Sequence, residues 1–271
     1  MHRIASRIAA GLGLVALLLL AGCGTARVAE APKIQPRARM PWQTAIGEVQ
    51  TNVANVHCTG VLVAPDTIAT AAHCLFLETA KRPASPGEIV FRPNQGAIPA
   101  LPPSRGIAIR ALGGSIRGGH LRNEDVSKDW MLVQISPPVT AVQPIAVAGL
   151  TIDGMLQLIR SGNRLVVAGY GNGAYDSLKV KDDCRLYSQK ELGLYPDDSW
   201  LQLDCVLRIG DSGGAIILLD GAGQPALIGL VAGIGKYKTK PLGLGVNASQ
   251  LLPHLRPTIS ALPLGEMLSL N

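Results

Sequence analysis

The 271-residue sequence has little charge and no internal repeat. Charged residues make up 16% of the chain against 47% apolar residues, a balance that excludes a disordered protein. A sustained helical period is also missing before the C-terminal end, where Pro253, Pro257 and Pro263 limit any helix to a short piece. Glycine (31) and proline (19) are plentiful, so the sequence predicts short strands joined by turns.

The main body of the chain has no excess of positive charge, although the whole sequence carries +6. The sequence has 25 basic and 19 acidic residues, and residues 1–40 contain six of the basic residues and one of the acidic residues. The remaining chain therefore has 19 basic and 18 acidic residues, a net charge of +1. A nucleic-acid-binding domain carries a basic face on its folded part. The charge distribution therefore argues against a nucleic-acid partner.

The one long apolar run, from Ile8 to Gly22, is too short for a comfortable membrane span. It follows a short positive stretch and precedes Cys23, which is the layout of a secretory signal. Leu20-Ala21-Gly22-Cys23 resembles the lipobox of bacterial lipoproteins. The resemblance implies a signal peptide over 1–22 and a diacylglyceryl group on the Cys23 sulfur. A signal peptide that merely contains a cysteine is the alternative.

The lipobox resemblance also implies a location in the bacterial cell envelope, with the lipid on Cys23 in a membrane. Residues 23–40 would be the anchor and a flexible tether, because they are polar, contain Pro32 and Pro36 and show no apolar period. Gly24 rather than an aspartate follows the cysteine, which favours the outer membrane in Gram-negative sorting. The folded part would face the periplasm or the exterior.

Five cysteines would leave one thiol unpaired in a secreted protein. Lipid on Cys23 removes this problem, since an even set remains in an oxidising compartment, where disulfides are expected. Its members are Cys58, Cys74, Cys184 and Cys205. Four cysteines allow three pairings, and the count alone does not choose among them.

Short apolar runs separated by turn residues begin at Trp42 and continue to about Leu252. Their regular spacing predicts an all-β barrel or sandwich. Segment 136–144 contains three prolines and is the best internal boundary. We therefore expect an N-terminal half over 41–137, a C-terminal half over 138–252 and a tail over 253–271.

Gly210-Asp211-Ser212-Gly213-Gly214 contains a candidate nucleophile. Its glycines allow a tight turn that brings backbone N–H groups close to a ligand, although a glycine-rich turn without chemistry would look the same. A serine hydroxyl is a weak nucleophile and needs a base. His73 in Thr70-Ala71-Ala72-His73-Cys74 ends an apolar strand, and imidazole suits a general base near neutral pH.

These two motifs resemble, in the same order, the signature motifs of the chymotrypsin-like (trypsin-like) serine proteases. The residues before His73 (Cys58 to Pro65) and Val167-Ala168-Gly169-Tyr170-Gly171 also resemble strands of that family, so the likeness extends from about Trp42 to about Leu252. It implies two six-stranded antiparallel barrels with the active site between them. It further implies a serine endopeptidase that acts on protein or peptide substrates without a metal or cofactor.

The resemblance also implies a role for each residue of a Ser-His-Asp triad. Asp129 directly precedes an apolar strand, as the family's aspartate does, whereas the competing Asp125 has polar neighbours. His73 would take the proton of Ser212, Asp129 would orient the imidazole, and the N–H groups of Gly210 and Ser212 would form the oxyanion hole. An acyl-enzyme would be the intermediate.

Family pairing implies a disulfide between Cys58 and Cys74, which leaves Cys184 and Cys205 to pair. No Ile-Val-Gly-Gly-type sequence precedes Cys58, because Ala45-Ile46-Gly47-Glu48 looks like an internal strand. We therefore expect no zymogen activation. The aspartate before the nucleophile, Asp211, then needs another partner than a new N-terminus, either Arg208 or a backbone group.

The substrate pocket departs from the family. Val206 takes the position at the base of the pocket, Arg208 replaces a cysteine, and Ala232-Gly233-Ile234 would form a small apolar wall. This set favours a small or apolar residue before the cleaved bond, whereas an Arg208 side chain reaching the pocket would favour an acidic one. Two alternatives to a peptidase remain: a binding or scaffold protein without turnover, and an esterase that uses the same triad.

Overall fold

The computed structural model describes residues 40–51, 54–94, 101–114, 123–171, 177–193, 197–237 and 240–255. The predicted signal peptide, Cys23, nearly all of the predicted tether and most of the predicted tail lie outside these ranges. No helix in the described ranges is long and apolar enough to cross a membrane. Contacts group residues from Arg39 onward into one compact unit.

Six antiparallel strands of the first half close into a barrel in the order β1-β2-β3-β8-β7-β6. A two-stranded ribbon, β4 with β5, lies outside it. In chain order the strands are β1 (Ile46–Thr51), β2 (Ala54–Ala64), β3 (Thr67–Thr70), β4 (Phe76–Leu77), β5 (Arg82–Pro83), β6 (Ile89–Pro93), β7 (Ser104–Leu112) and β8 (Met131–Ser136). Apolar residues, most of them β-branched or aliphatic, fill the barrel, and β1, β3 and β8 are buried at nearly every position.

The second half forms one eight-stranded sheet. Seven strands follow the order β11-β10-β14-β15-β16-β13-β12, and the short β9 pairs in parallel with β15. The strands are β9 (Ala146–Val147), β10 (Arg164–Gly169), β11 (Lys179–Lys181), β12 (Arg185–Leu186), β13 (Trp200–Asp204), β14 (Ala215–Leu219), β15 (Pro225–Tyr237) and β16 (Lys240–Asn247).

The predicted all-β class with two barrel-like halves is confirmed, and the second half differs in detail. It has eight strands instead of six, and the pairs among the described strands leave it as an open half-barrel. Short β9 and β12, of two residues each, account for the larger number. One core cluster includes residues of both halves, such as Phe91 of β6 and Tyr170 after β10, so the halves pack directly on each other.

One helix was not expected from the sequence. Helix α1 (Ile152–Arg160) begins at Thr151, whose hydroxyl oxygen accepts a hydrogen bond from the Gly154 N–H. Its buried side chains (Ile152, Met155 and Leu158) recur at three-residue spacing and pack in the core of the second half. The sequence predicted only that no sustained helical period precedes the C-terminal end, and this short helix was not identified. A nine-residue helix with a glycine in its first turn gives too short a period to stand out.

Candidate active site

His73 lies in a short turn that follows strand β3 of the barrel. Strand β3 ends at Thr70, and a 3₁₀ turn over Ala72–Leu75 follows directly. The predicted disulfide between Cys58 and Cys74 is present, with a Cα–Cα distance of 6.2 Å, and it ties this turn to β2. The His73 side chain keeps 29% of its surface exposed, so the ring can reach a ligand.

Asp129 contacts His73 through both carboxylate oxygens. The His73 backbone N–H donates to Asp129 Oδ1 at 2.8 Å, and His73 Nδ1 lies 2.7 Å from Asp129 Oδ2. An ionised carboxylate only accepts hydrogen bonds, so the proton of this contact belongs to Nδ1 and the neutral ring has its lone pair on Nε2. Asp129 is only 2% exposed, because it lies directly before buried β8. Among the described carboxylates this contact distinguishes Asp129 from Asp125.

Ser212 lies in a tight turn that is docked onto the first barrel. The Thr59 N–H donates to Ser212 O at 2.8 Å, and the Gly213 N–H donates to Val231 O at 2.7 Å. Gly213 has φ +76°, and a Cβ there would come within 2.4 Å of the Thr70 hydroxyl oxygen. Glycine is therefore required, and the missing side chain lets Ser212 approach the strand that leads to His73.

The Ser212 hydroxyl makes no hydrogen bond to His73 within the described ranges. In unliganded enzymes this contact is often long and shortens when substrate binds. The structure therefore brings His73 and Asp129 into direct contact, and it docks the turn of Ser212 on Thr59 of β2 and next to Thr70 at the end of β3.

The segment before Ser212 is a β-turn of type II over residues 208–211. The Asp211 N–H donates to Arg208 O at 3.0 Å, and Gly210 has φ +99°, which is the positive value that this turn type needs at its third residue. The Gly210 carbonyl oxygen accepts a hydrogen bond from the Thr59 hydroxyl at 2.7 Å. In the part of the chain that the structure describes, neither the Gly210 nor the Ser212 N–H has a hydrogen-bond acceptor, so both can receive an oxyanion.

Asp211 is buried and fully partnered. Oδ1 accepts from the Gly171 N–H at 3.1 Å, and Oδ2 accepts from the Arg208 N–H at 2.8 Å and from Lys181 Nζ at 2.7 Å. The expectation of a backbone partner is confirmed, because Arg208 contributes its backbone N–H, and among the described contacts of Asp211 its guanidinium group does not appear. Sequence reasoning missed Lys181, because a strand lysine thirty residues away carries no local signal of this pairing.

Thr59 was also missed, although it follows the predicted Cys58. Its hydroxyl accepts from the Tyr170 N–H at 2.9 Å and donates to Gly210 O, so one side chain joins the first barrel to the second half and to the turn. A buried threonine among apolar strand residues was the available signal, since buried hydroxyls need partners.

The predicted pocket residues differ in exposure. Val206 is 69% exposed and Arg208 is exposed, whereas Ala232 is buried in β15. A Cβ added at Gly233 would meet nothing within 4 Å, which leaves open space above this strand, and Ile234 is exposed beside it. The predicted Cys184–Cys205 disulfide is present and fixes the chain directly before Val206.

Histidine and sulfur atoms cluster once in the described ranges, at Cys58, His73 and Cys74. Both sulfurs belong to the disulfide, so neither can act as a thiolate ligand for a metal.

A family model described as Trypsin matches residues 31–253. No curated protein matches the chain. The matched range includes both halves of the fold, the disulfides, His73, Asp129 and Ser212. The chain therefore belongs to the Trypsin family, the family of trypsin-like serine proteases.

Proposed function

We propose that this protein is an active serine endopeptidase with Ser212 as nucleophile, His73 as general base and Asp129 as orienting acid. The observation that carries the proposal is the double contact of Asp129 with His73, which leaves the lone pair on Nε2. Membership of the Trypsin family supports a serine protease in general.

In the proposed reaction, Ser212 Oγ attacks the carbonyl carbon of the substrate and its proton passes to His73 Nε2. The negative charge on the former carbonyl oxygen is received by the N–H groups of Gly210 and Ser212. The tetrahedral species collapses to an acyl-enzyme as His73 gives the proton to the leaving amine. A water molecule then repeats the sequence, and the second product leaves with a new carboxylate.

Fluorophosphonate labelling tests the nucleophile. The wild-type mature protein should be labelled at Ser212, and the Ser212→Ala variant should not. Ser249→Ala is a matched control, because it removes a hydroxyl far along the chain from the proposed site, and it should label like wild type. Labelling that persists in Ser212→Ala, or its absence in the wild type, would overturn the assignment.

Digestion of a peptide library separates the candidate activities and defines the pocket. We propose a preference for a small or apolar residue before the cleaved bond, since Val206, Ala232 and Gly233 offer no counter-charge for a basic side chain. A preference for acidic residues would instead assign the specificity to Arg208. Hydrolysis of ester substrates alone, with intact peptides, would favour an esterase.

We further propose that the protein is anchored to a membrane of the bacterial envelope by lipid on Cys23. The lipobox-like sequence before this residue supports the proposal. The Cys23→Ser variant should lose lipid incorporation and membrane retention, whereas variants of the other cysteines should keep both. Unchanged retention of Cys23→Ser would contradict the anchor.

A further inference from the structure

The carboxylate of Asp211 lies in a recess that leaves room for little else. It is 1% exposed, and a Cβ at Gly171 would come within 2.5 Å of Asp211 Oδ1. A Cβ at Gly169 would come within 2.8 Å of the same oxygen. An uncompensated charge in such a place costs several kcal/mol, so the recess requires a positive partner for Asp211.

Lys181 supplies that partner from β11. Its Nζ donates to Asp211 Oδ2 at 2.7 Å, and its side chain is 18% exposed. Strand β11 is held by pairing with β10, where Lys181 lies opposite Val167. The Cys184–Cys205 disulfide also joins the chain three residues after Lys181 to the chain six residues before Asp211. Strand β11 therefore holds the Lys181 ammonium group in a fixed position beside Asp211.

The same carboxylate closes the turn that carries the proposed oxyanion donors. Asp211 Oδ2 accepts from the Arg208 N–H at the start of the turn, while the Asp211 N–H donates back to Arg208 O. A type I turn would need a negative φ at Gly210, and the change rotates the Ile209–Gly210 peptide by about 180°. That rotation reverses the direction of the Gly210 N–H, so the oxyanion hole depends on the turn type.

We propose that Lys181 is a positioning residue that keeps the 208–211 turn in its oxyanion-binding form, and that the Lys181–Asp211 ion pair does so without cleavage of the chain. The proposal rests on the proposed serine-protease function. Lys181 touches no reacting atom. It acts through Asp211, whose recessed position fixes the peptide planes on both of its sides.

Kinetics of Lys181→Met test this role. If the turn is retained in about one molecule in a hundred, kcat falls about 100-fold, while KM changes less than about 3-fold because substrate contacts outside the turn persist. Lys179→Met is the matched control, because Lys179 lies on the same strand, is exposed and donates to Ser177 Oγ. It should keep wild-type kcat. Equal kinetics in all three proteins would overturn the proposal and leave the serine-protease assignment intact.

Amide hydrogen exchange gives a readout that does not require activity. Peptides over residues 208–214 should exchange at least 10-fold faster in Lys181→Met than in Lys179→Met, with unchanged exchange in β2 and β8. Unchanged exchange over 208–214 would overturn the proposal even if the wild-type protein proved inactive. Absence of fluorophosphonate labelling in the wild type would instead refute the proposed function.

Chemical rescue separates a positive charge from mere packing. Lys181→Ala leaves a space that matches propylammonium, so folding Lys181→Ala with propylammonium present should raise kcat at least 10-fold. Tetramethylammonium at equal ionic strength is too large to enter and should not. The same addition during folding covers a variant that fails to fold alone. No rescue of either folding or activity would contradict the proposal.

Discussion

The contact between half-buried His73 and buried Asp129 is the most specific contact of the candidate site. One carboxylate oxygen receives the backbone N–H of His73 and the other faces the ring nitrogen, so the imidazole has its position and its tautomer fixed by the same side chain. A substitution that keeps the shape of Asp129 but changes its hydrogen bonding should therefore separate orientation from packing.

Asp129→Asn should lower kcat by about 10⁴-fold, the size that the loss of the correct tautomer has in serine proteases. The amide can donate a proton towards Nδ1, which moves the ring proton to Nε2 and removes the base. Peptide hydrolysis measures the effect. Asp125→Asn serves as the control and should stay within about 2-fold of wild type, since its loss leaves the contact with His73 unchanged. Comparable losses in both variants would contradict the assignment.

Gly213→Ala should lower the free energy of unfolding by more than about 2 kcal/mol, because the new Cβ meets a positive φ and the Thr59 carbonyl oxygen. Gly221→Ala is a matched control, since a Cβ there meets nothing within 4 Å, and it should change stability by less than about 0.5 kcal/mol. Urea unfolding of both variants checks this. A small effect at Gly213 would mean that the turn moves away from β3.

Sequence reasoning reaches only those residues whose signal is local. His73, Ser212 and Asp129 lie in short motifs next to apolar strands. The order of these motifs along the chain supplied the resemblance to the family. Lys181 and Thr59 could not be identified in this way, because their contacts with Asp211 and Gly210 exist only after β11, β10 and β2 have come together. The exposure of Val206, the predicted pocket base, could not be deduced from the sequence for a related reason: it depends on the path of the chain after Cys205.

The strands of this protein are easier to predict from the sequence than its helix or the arrangement of its second sheet. Runs of apolar residues bounded by turn signals located most of the strands, since half-buried strands need that pattern. Helix α1 escaped because its period spans only nine residues. The open arrangement of the second half depends on long-range pairing of β13 with β16, which no single segment encodes.

A small 3₁₀ element over Pro86–Glu88 provides a pH-dependent contact on the first barrel. Arg82 donates to both oxygens of Glu88, and the Ser85 N–H donates to Glu88 Oε2 at 2.7 Å. The hydrogen bonds from Arg82, followed by those from Ser85, lower the pKa of Glu88 from 4.5 to about 2. Because the folded pKa is the lower one, the contact stabilises the fold above pH 4.5 and is lost as the pH falls through about 2.

Glu88→Gln should therefore reduce the urea midpoint at pH 7, and the difference from wild type should shrink below pH 4.5 and vanish near pH 2. Unfolding curves at pH 7, 5, 3.5 and 2 measure the change. A difference in midpoint that stays constant over this range would show that Glu88→Gln loses stability for a reason other than the charge of Glu88.

At the scale of the whole molecule, two disulfides brace the two sides of the candidate site. Cys58–Cys74 closes a loop of 16 residues at the histidine turn, and Cys184–Cys205 closes one of 21 residues before the serine turn. Both pairings were predicted, the first from family resemblance and the second by what remained. The chain-entropy model gives loops of these lengths nearly equal stabilisation.

Removal of either bridge by paired alanine substitutions should lower the free energy of unfolding by about 3 kcal/mol. Guanidinium unfolding with counted free thiols measures it. The two double variants should agree within about 1 kcal/mol, since loop length enters only through its logarithm. A much larger loss for one pair would mean that its cysteines also fill a packing site.

The hydrogen bonds of Thr59 have a consequence for the order of events during synthesis. This residue belongs to the first barrel, yet its hydroxyl binds the Tyr170 N–H and the Gly210 carbonyl, and the turn also needs Val231 of β15. A growing chain that has folded its first half already displays His73 and Asp129 but has no formed serine turn. We therefore expect the candidate active site to remain incomplete in the nascent protein until β15 has been synthesised and has folded. Synthesis of the chain would then itself delay the proposed activity.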